Sequence, residues 1–132
     1  GTGASFGFSP AVRADGVTPA ADPHLPQPLW FKDYAVDVEQ ADPDSMYTLY
    51  HAALAIRQES LTATRDTTAE QVGMGDDVVA YTRAAVGGRV FTSITNFGNA
   101  PIALPDGSVV LASGPLTPEG QLPTDTSAWV VQ

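Results

Sequence analysis

One segment of this sequence constrains the fold more than any other, because it holds the only long stretch with helical periodicity. Its apolar residues recur at spacings of i, i+3, i+4, i+7 and i+8, which places them in one stripe along a helix. The stripe consists of Met46, Leu49, Tyr50, Ala53 and Leu54. The pattern ends near Ser60. The chain before it is irregular and the chain after it is typical of short strands, so we predict one helix that joins two kinds of structure.

The start of this helix is marked by favourable residues. Asp42 is a good N-cap, Pro43 suits the first helical position, and Asp44 adds negative charge at the positive end of the helix dipole. Arg57 falls in the last turns, where a cation is favoured. The sequence therefore predicts that the helix is capped by Asp42 and continues to Ser60.

The part of the chain after the helix has a period of two. Residues 62–77 form a polar connection with room for a short strand. From Val78 onward, alternating segments bounded by turn residues predict further strands. These strands lie at residues 78–83, 90–97, 102–104, 108–112 and 127–131. Short strands separated by close turns indicate a small antiparallel sandwich or barrel.

Two turns are predicted to connect these strands as hairpins. Gly87-Gly88 separates the first pair of strands and Asp106-Gly107 separates the second pair, and both dipeptides favour tight hairpin turns. The aromatic residues that alternate within the predicted strands are expected to form the core of the β domain. They are Tyr81, Phe91, Phe97 and Trp129.

The first 40 residues combine prolines with large aromatic residues, among them Phe6, Phe8 and Trp30. A disordered proline-rich linker is usually poor in aromatic residues, and a loop of about 40 residues is uncommon inside a compact domain. We therefore expect this segment to pack against a partner that lies outside the sequence.

Composition argues against several classes of partner and site. Fifteen acidic residues against six basic ones give a net charge of −9, whereas nucleic-acid binding needs a basic face. There is no cysteine for a disulfide or a zinc site, and His24 and His51 are not spaced as metal ligands. No apolar run approaches the roughly 18 residues of a membrane span, and no signal-peptide pattern is present. We expect a cytoplasmic protein without a metal, a cofactor or a membrane partner.

Several strings of residues together resemble a known family. They are Phe6-Gly7-Phe8-Ser9, Leu25-Pro26-Gln27-Pro28 with Trp30, Val38-Glu39-Gln40-Ala41-Asp42-Pro43-Asp44-Ser45, Leu49-Tyr50 and Leu54-Ala55-Ile56-Arg57. In this order they resemble the C-terminal part of the α-amylase superfamily, glycoside hydrolase family 13. The resemblance is strongest to bacterial α-glucosidases of the oligo-1,6-glucosidase type. The ending, residues 122–129, is similar to the last strand of that family.

This resemblance implies a fold. The helix from Asp42 to Ser60 would be the eighth helix of a (β/α)₈ barrel, and the aromatic segment before it would be the loop after the eighth strand, near the active-site rim. The strands after Val78 would form the small C-terminal β domain. The expected fold class is thus an α+β fragment, in which the final barrel helix is followed by an all-β antiparallel sandwich. The expected domains are residues 1–61, the end of the barrel, and residues 62–132, the β domain.

The resemblance also implies an activity for the parent enzyme. Members of the family hydrolyse α-glucosidic bonds of oligosaccharides with an Asp nucleophile, a Glu acid/base and a third Asp, and none of the motifs around these residues occurs in this sequence. We therefore predict no catalytic residue here and no glucosidase activity for this segment alone. Its partner would be the rest of the barrel, and its role would be scaffold and part of the substrate rim.

The acidic residues of this chain offer weak alternatives for catalysis. Retaining glycoside hydrolysis needs two carboxyl groups about 5–5.5 Å apart. Asp37 and Glu39 would share a face if their segment were a strand, and Asp76-Asp77 precedes a predicted strand. We expect structural or solvated roles for all of these carboxylates.

The aromatic residues of the N-terminal segment are the candidates for the substrate rim, because the apolar faces of sugars pack on aromatic rings. These candidates are Phe6, Phe8 and Trp30, with Phe31 beside them. The alternative role, which we favour, is that the rings anchor the loop to the barrel. For the rim role, Phe6 and Phe8 are the best candidates.

A second interpretation is a stand-alone carbohydrate-binding or interaction module built on the β domain. The amphipathic helix disfavours it, because a stand-alone module has no evident use for an apolar stripe whose partner is missing. An exposed apolar stripe favours association. We therefore expect the isolated chain to self-associate through the helix and the aromatic loop.

Overall fold

The computed structural model describes residues 28–61 and 68–132. Its helices are a 3₁₀ helix at Leu29–Tyr34, α1 at Val36–Ala41 and α2 at Met46–Leu61, and a 3₁₀ turn follows later at Val86–Gly88. Its strands are β1 at Glu70–Val72, β2 at Val78–Ala84, β3 at Val90–Asn96, β4 at Ser108–Ala112 and β5 at Thr126–Val131. The chain divides into two compact units between His51 and Ala52.

The start of helix α2 differs from the prediction. The hydroxyl oxygen of Ser45 accepts a hydrogen bond from the Thr48 N–H at 3.1 Å, so Ser45 is the N-cap and not Asp42. The Asp42 carboxylate instead accepts a bond from the Asp44 N–H at 2.9 Å. An aspartate that bonds the backbone two residues on stabilises a turn and competes with helix. Residues 42–45 therefore form a turn before α2.

Helix α1 precedes this turn and was not predicted. Glu39 links it to α2, because its Oε2 accepts a hydrogen bond from the Tyr47 N–H at 3.2 Å. The main-chain oxygen of Glu39 also accepts a bond from the Ser45 hydroxyl. One donor at the start of α2 is thus satisfied from another helix, which a search for local capping residues does not reveal.

The apolar stripe of α2 is largely exposed. Met46 and Tyr50 are 59% and 63% exposed in the first unit, and Leu54 is 59% exposed in the second. Within the second unit the helix packs through another side, where Ile56 and Leu61 lie against the cluster of Ala85, Phe91 and Val131. The β unit therefore fixes the end of α2 without covering Leu54.

The five strands form one antiparallel sheet in the order β1-β2-β3-β5-β4. The predicted strands at residues 78–83, 90–97, 108–112 and 127–131 are confirmed as β2 to β5, with end shifts of a residue. β1 lies within the connection at residues 62–77, where the sequence analysis allowed a short strand. The segment at residues 102–104 is not a strand, because only Ile102 forms a bridge, to Leu122.

The predicted hairpin at Asp106-Gly107 is wrong, since β4 pairs with β5 and not with residues 102–104. Gly107 has a φ of 134°, and a Cβ atom at this position would lie 2.7 Å from the main-chain oxygen of Val131. The glycine is therefore needed where the chain passes close to β5, and not to reverse the chain between neighbouring strands.

The β domain has a buried cluster on each face of the sheet, and the Ala85, Phe91 and Val131 cluster lies on the face opposite to the first cluster. The first cluster consists of the buried residues Ala80, Ile94, Leu122 and Ala128. Residues of the long β3–β4 and β4–β5 connections pack against this cluster, namely Ile102, Leu104 and Leu116. These connections form the second layer of the domain, over the sheet.

Two of the four aromatic core predictions hold. Phe91 is 4% exposed and its ring meets that of half-buried Trp129 edge to face, with centroids 5.2 Å apart. Tyr81 and Phe97 are 45% and 62% exposed, so their prediction as core residues is wrong. Tyr81 follows Ala80, and successive side chains of a strand point to opposite faces. Phe97 lies just after the end of β3.

Within residues 28–61 and 68–132, none of the helices has the length and apolar character needed to cross a membrane.

Candidate functional site

The aromatic segment before α1 carries the one rim candidate that the structure describes. Trp30 lies in the 3₁₀ helix Leu29–Tyr34 and is 58% exposed. Its ring packs edge to face with that of Tyr34, at a centroid distance of 5.8 Å and an interplanar angle of 87°. Tyr34 is itself 62% exposed. Two neighbouring aromatic rings are thus held in fixed geometry and remain accessible to another molecule.

The other two rim candidates, Phe6 and Phe8, lie outside the residues that the structure describes. The structure therefore positions Trp30 and does not test whether the three aromatic residues meet. Tyr34 was not predicted as a site residue. Its sequence position gives little signal, because residues three apart, and not four, align along a 3₁₀ helix.

Exposed apolar residues accumulate in the described part of the first unit. Besides Trp30 and Tyr34 they include Val36, Val38, Met46 and Tyr50, each between 43% and 63% exposed. A small soluble protein rarely leaves so many large apolar side chains in water, and such surfaces commonly mark sites of contact with another protein part. The segment of residues 28–51 thus has the character of an interface.

Two carboxylates of this segment, those of Glu39 and Asp42, have structural roles. Asp37 and Glu39 lie on helix α1, so side chains two positions apart point about 200° away from each other. The expectation that they share a strand face is therefore wrong. Glu39 and Asp42 accept main-chain hydrogen bonds from Tyr47 and Asp44. These contacts stabilise the α1–α2 turn and do not resemble a pair of catalytic carboxyl groups.

Metal-binding side chains do not converge either. Among the described residues there is no group of three or more His, Asp or Glu side chains that could hold a metal ion. His51 stacks on Tyr47, with ring centroids 6.3 Å apart and planes inclined by 17°. His24 lies outside the described residues.

Comparisons with known proteins add information on the fold. No family model matches this sequence, and no curated protein matches it. Solved structures of trehalulose synthase MutB are similar to it. The monoclinic crystal form of MutB from Pseudomonas mesoacidophila MX-45 superimposes with a TM-score of 0.64 at 24% sequence identity, covering 90% of this chain. A MutB mutant in complex with the substrate sucrose gives a TM-score of 0.63 at 25% identity, also over 90% of this chain.

The matched region is a minor part of those proteins, since the chain spans 24% of the length of the MutB structures. The fold is that of a terminal barrel helix followed by a small antiparallel β domain. This architecture agrees with the resemblance of the sequence to the C-terminal part of the α-amylase superfamily.

Proposed function

We propose that this chain is the C-terminal part of a glycoside hydrolase of the α-amylase superfamily, whose parent enzyme hydrolyses α-glucosidic bonds of oligosaccharides. Residues 1–61 would complete the catalytic barrel and residues 62–132 would form the C-terminal β domain. The observation that supports this most is the likeness to MutB structures over 90% of this chain but only 24% of theirs. The remaining length of such an enzyme leaves room for the catalytic barrel.

The exposed face of α2 supports the same proposal. Met46, Tyr50 and Leu54 are spaced by four residues on one helix and are all more than half exposed. Full burial of one large apolar side chain is worth about 1.5–3 kcal/mol. In the parent enzyme this face would pack against the barrel, and that packing would recover the free energy that the isolated chain leaves unused.

We further propose that Trp30, with Phe6 and Phe8, contributes to the rim of the substrate site. The support is that Trp30 is accessible and braced by Tyr34. Apolar sugar faces pack well on such a ring. The role of this chain would then be to shape the entrance to the site, while the catalytic carboxyl groups lie on the preceding part of the parent enzyme.

The substrate and reaction of the parent enzyme are a separate proposal. The sequence resemblance favours an oligo-1,6-glucosidase, whereas the structural neighbour MutB is a trehalulose synthase with sucrose as its substrate. We propose the glucosidase. Cytoplasmic location of the parent and self-association of the isolated chain both stay predictions.

The test compares the 132-residue chain with the product of the complete coding region that contains it. Each is assayed on a chromogenic α-glucoside, on isomaltose and on sucrose, and sugar products are separated by chromatography. We expect glucose release by the longer protein and no turnover by the short chain. Conversion of sucrose to trehalulose by the longer protein would contradict the glucosidase. Turnover by the short chain that disappears when one of its own acidic residues is replaced would contradict the division of roles.

A further inference from the structure

One face of the β sheet leaves apolar side chains in water. In the antiparallel register, Tyr81 is opposite Ser93 and Ser93 is opposite Trp129, so these three residues form one row across β2, β3 and β5. Tyr81 is 45% exposed and Trp129 is half-buried. The row beside it begins with Val79, which is 40% exposed. We call this surface the Tyr81 face, and its residues are Val79, Tyr81, Ser93, Thr95, Ser127 and Trp129.

Helix α2 already covers the neighbouring end of the same face of the sheet. Phe91 is opposite Val131 in the row that adjoins the Tyr81 face. Ile56 and Leu61 of α2 pack against the cluster that contains Phe91 and Val131. Residues two positions apart on a strand are separated by about 7 Å. The exposed rows therefore begin about 7 Å from the row that α2 covers.

The charge distribution of this face is unlike that of a solvated one. A sheet face in contact with water usually carries polar and charged side chains. The sequence has 15 acidic residues, yet within β1 to β5 no carboxylate shares the face of Tyr81. Arg83 is the one charged residue of those strands on this side, and it has an interaction of its own. The Tyr81 face thus resembles an interface more than a surface in water.

The polar groups near the middle of the Tyr81 face are prepared for burial. The hydroxyl oxygens of Thr95 and Ser127 lie 2.8 Å apart, and one donates a hydrogen bond to the other. Burial of a polar group is costly when it has no hydrogen-bond partner. These two hydroxyls satisfy each other, so an apolar surface can cover them without a large desolvation cost.

We propose that the Tyr81 face is the docking surface for a second helix of the catalytic barrel in the parent enzyme. This inference rests on the function proposed above, in which α2 is the last helix of that barrel. The helices of such a barrel form an outer ring, and helices packed side by side have axes about 8–10 Å apart. A helix beside α2 therefore lies over the exposed rows of the Tyr81 face. Its contact side carries aliphatic and small residues, which match the apolar side chains and the paired hydroxyls.

Photo-cross-linking in the product of the complete coding region identifies the occupant of this face. Tyr81 is replaced by p-benzoylphenylalanine, and cross-linked peptides are identified by mass spectrometry. We expect an intramolecular cross-link to a helical segment that precedes residue 1 of this chain. The control places the same photoreactive residue at Val109, which is 40% exposed and opposite Val130 on the other face of the sheet. There we expect no cross-link to the preceding segment.

The proposal is overturned if residue 81 cross-links to a second copy of the protein or gives no cross-link. It is also overturned if residues 81 and 109 cross-link to the same segment.

Val79 and Val109 also provide a matched pair of charge variants, because both valines are 40% exposed and they lie on opposite faces of the sheet. In the 132-residue chain, Val79→Glu and Val109→Glu should lower the thermal unfolding midpoint to the same small extent. In the parent protein, Val79→Glu should lower it by at least about 3 °C more than Val109→Glu, because the new charge is buried under a helix. Equal losses in the parent protein overturn the proposal.

The activity of the parent protein separates this proposal from the proposed function. A parent protein that releases glucose from the chromogenic α-glucoside, but gives no cross-link from residue 81, overturns the docking surface and leaves the function intact. A parent protein that gives the cross-link, but releases no glucose from any α-glucoside, overturns the function and leaves the interface with the preceding chain in place.

Discussion

The side-chain amide of Asn96, at the end of β3, donates a hydrogen bond to the main-chain oxygen of Leu122 at 3.1 Å, and both residues are fully buried. The same Nδ2 donates to the Ala100 oxygen at 2.9 Å, and Oδ1 accepts from the Gly98 N–H at 2.9 Å. One amide therefore satisfies three main-chain groups and joins the sheet to the connections that cover it.

Replacement of Asn96 by alanine should destabilise the β domain by about 2 kcal/mol, because it removes three hydrogen bonds made by a fully buried side chain. Urea unfolding followed by Trp129 and Trp30 fluorescence measures the change in free energy. Asn99→Ala, at an exposed position three residues on, is the control and should change stability by less than about 0.5 kcal/mol. Equal losses in the two variants would show that the Asn96 network contributes nothing specific.

Gly107 supplies a second test, because its role differs from the predicted hairpin turn. Gly107→Ala should cost more than Gly120→Ala, and Gly73→Ala should cost least. A Cβ at Gly107 would meet the Val131 oxygen at 2.7 Å in addition to a positive φ, Gly120 has a positive φ but open space, and Gly73 has open space without a positive φ. A positive φ alone costs about 1–2 kcal/mol for an alanine.

The free energies of unfolding of the three glycine variants are compared in one urea series. The expected order of the three stability losses separates the cost of the contact between residue 107 and β5 from the cost of a positive φ alone. If the Gly107 and Gly120 variants lose the same stability, the chain near residue 107 moves away from β5 at little cost, and the close approach is unimportant.

Periodicity predicted the elements of this fold better than their pairing. β2 to β5 were found because apolar and polar residues alternate along them, and α2 was found because its stripe repeats at helical spacing. The Asp106-Gly107 hairpin was wrong because a turn dipeptide indicates only that the chain bends locally. Which strand then pairs with β4 depends on β5, which follows after a long connection. That information is not local.

Exposure was harder to predict than secondary structure. Tyr81 and Phe97 were assigned to the core because aromatic residues alternate within the predicted strands, but Tyr81 is 45% exposed on the face of β2 opposite to Ala80, and Phe97 lies beyond the end of β3. Trp30 was chosen as a rim candidate because large aromatic residues are unusual in a proline-rich segment, and its role at the rim stays a prediction.

The N-cap of α2 can be tested directly. Ser45→Ala should reduce the helix content, and it should lower the free energy of unfolding by about 1 kcal/mol, because the Thr48 N–H loses its acceptor. Asp42→Ala should have a smaller effect on the helix, since its carboxylate bonds Asp44 within the turn. Far-UV circular dichroism during thermal unfolding measures both variants. A larger loss of helix content in the Asp42 variant than in the Ser45 variant would show that Asp42, and not Ser45, is the N-cap of α2.

The two sides of α2 should respond differently to truncation. Ile56 packs against the Ala85, Phe91 and Val131 cluster, so Ile56→Ala should destabilise the 132-residue chain by about 2 kcal/mol, the low end for such truncations because the side chain is half-buried. Leu54 is 59% exposed, and Leu54→Ala should change stability by less than about 0.5 kcal/mol. Urea unfolding of the two variants gives both values.

In the complete parent protein, substitutions at Leu54 should destabilise the fold as those at Ile56 do. There the barrel would cover Leu54, so Leu54→Glu should lower thermal stability strongly, because burial of a charge without a partner is costly. In the 132-residue chain the same variant should remain folded and should sediment as a smaller species than the wild type if the apolar stripe mediates self-association. Calorimetry of the parent protein and sedimentation velocity of the chain measure the two effects. A parent protein that tolerates Leu54→Glu without loss of stability would show that this face of α2 stays in water, and that the barrel is not its partner.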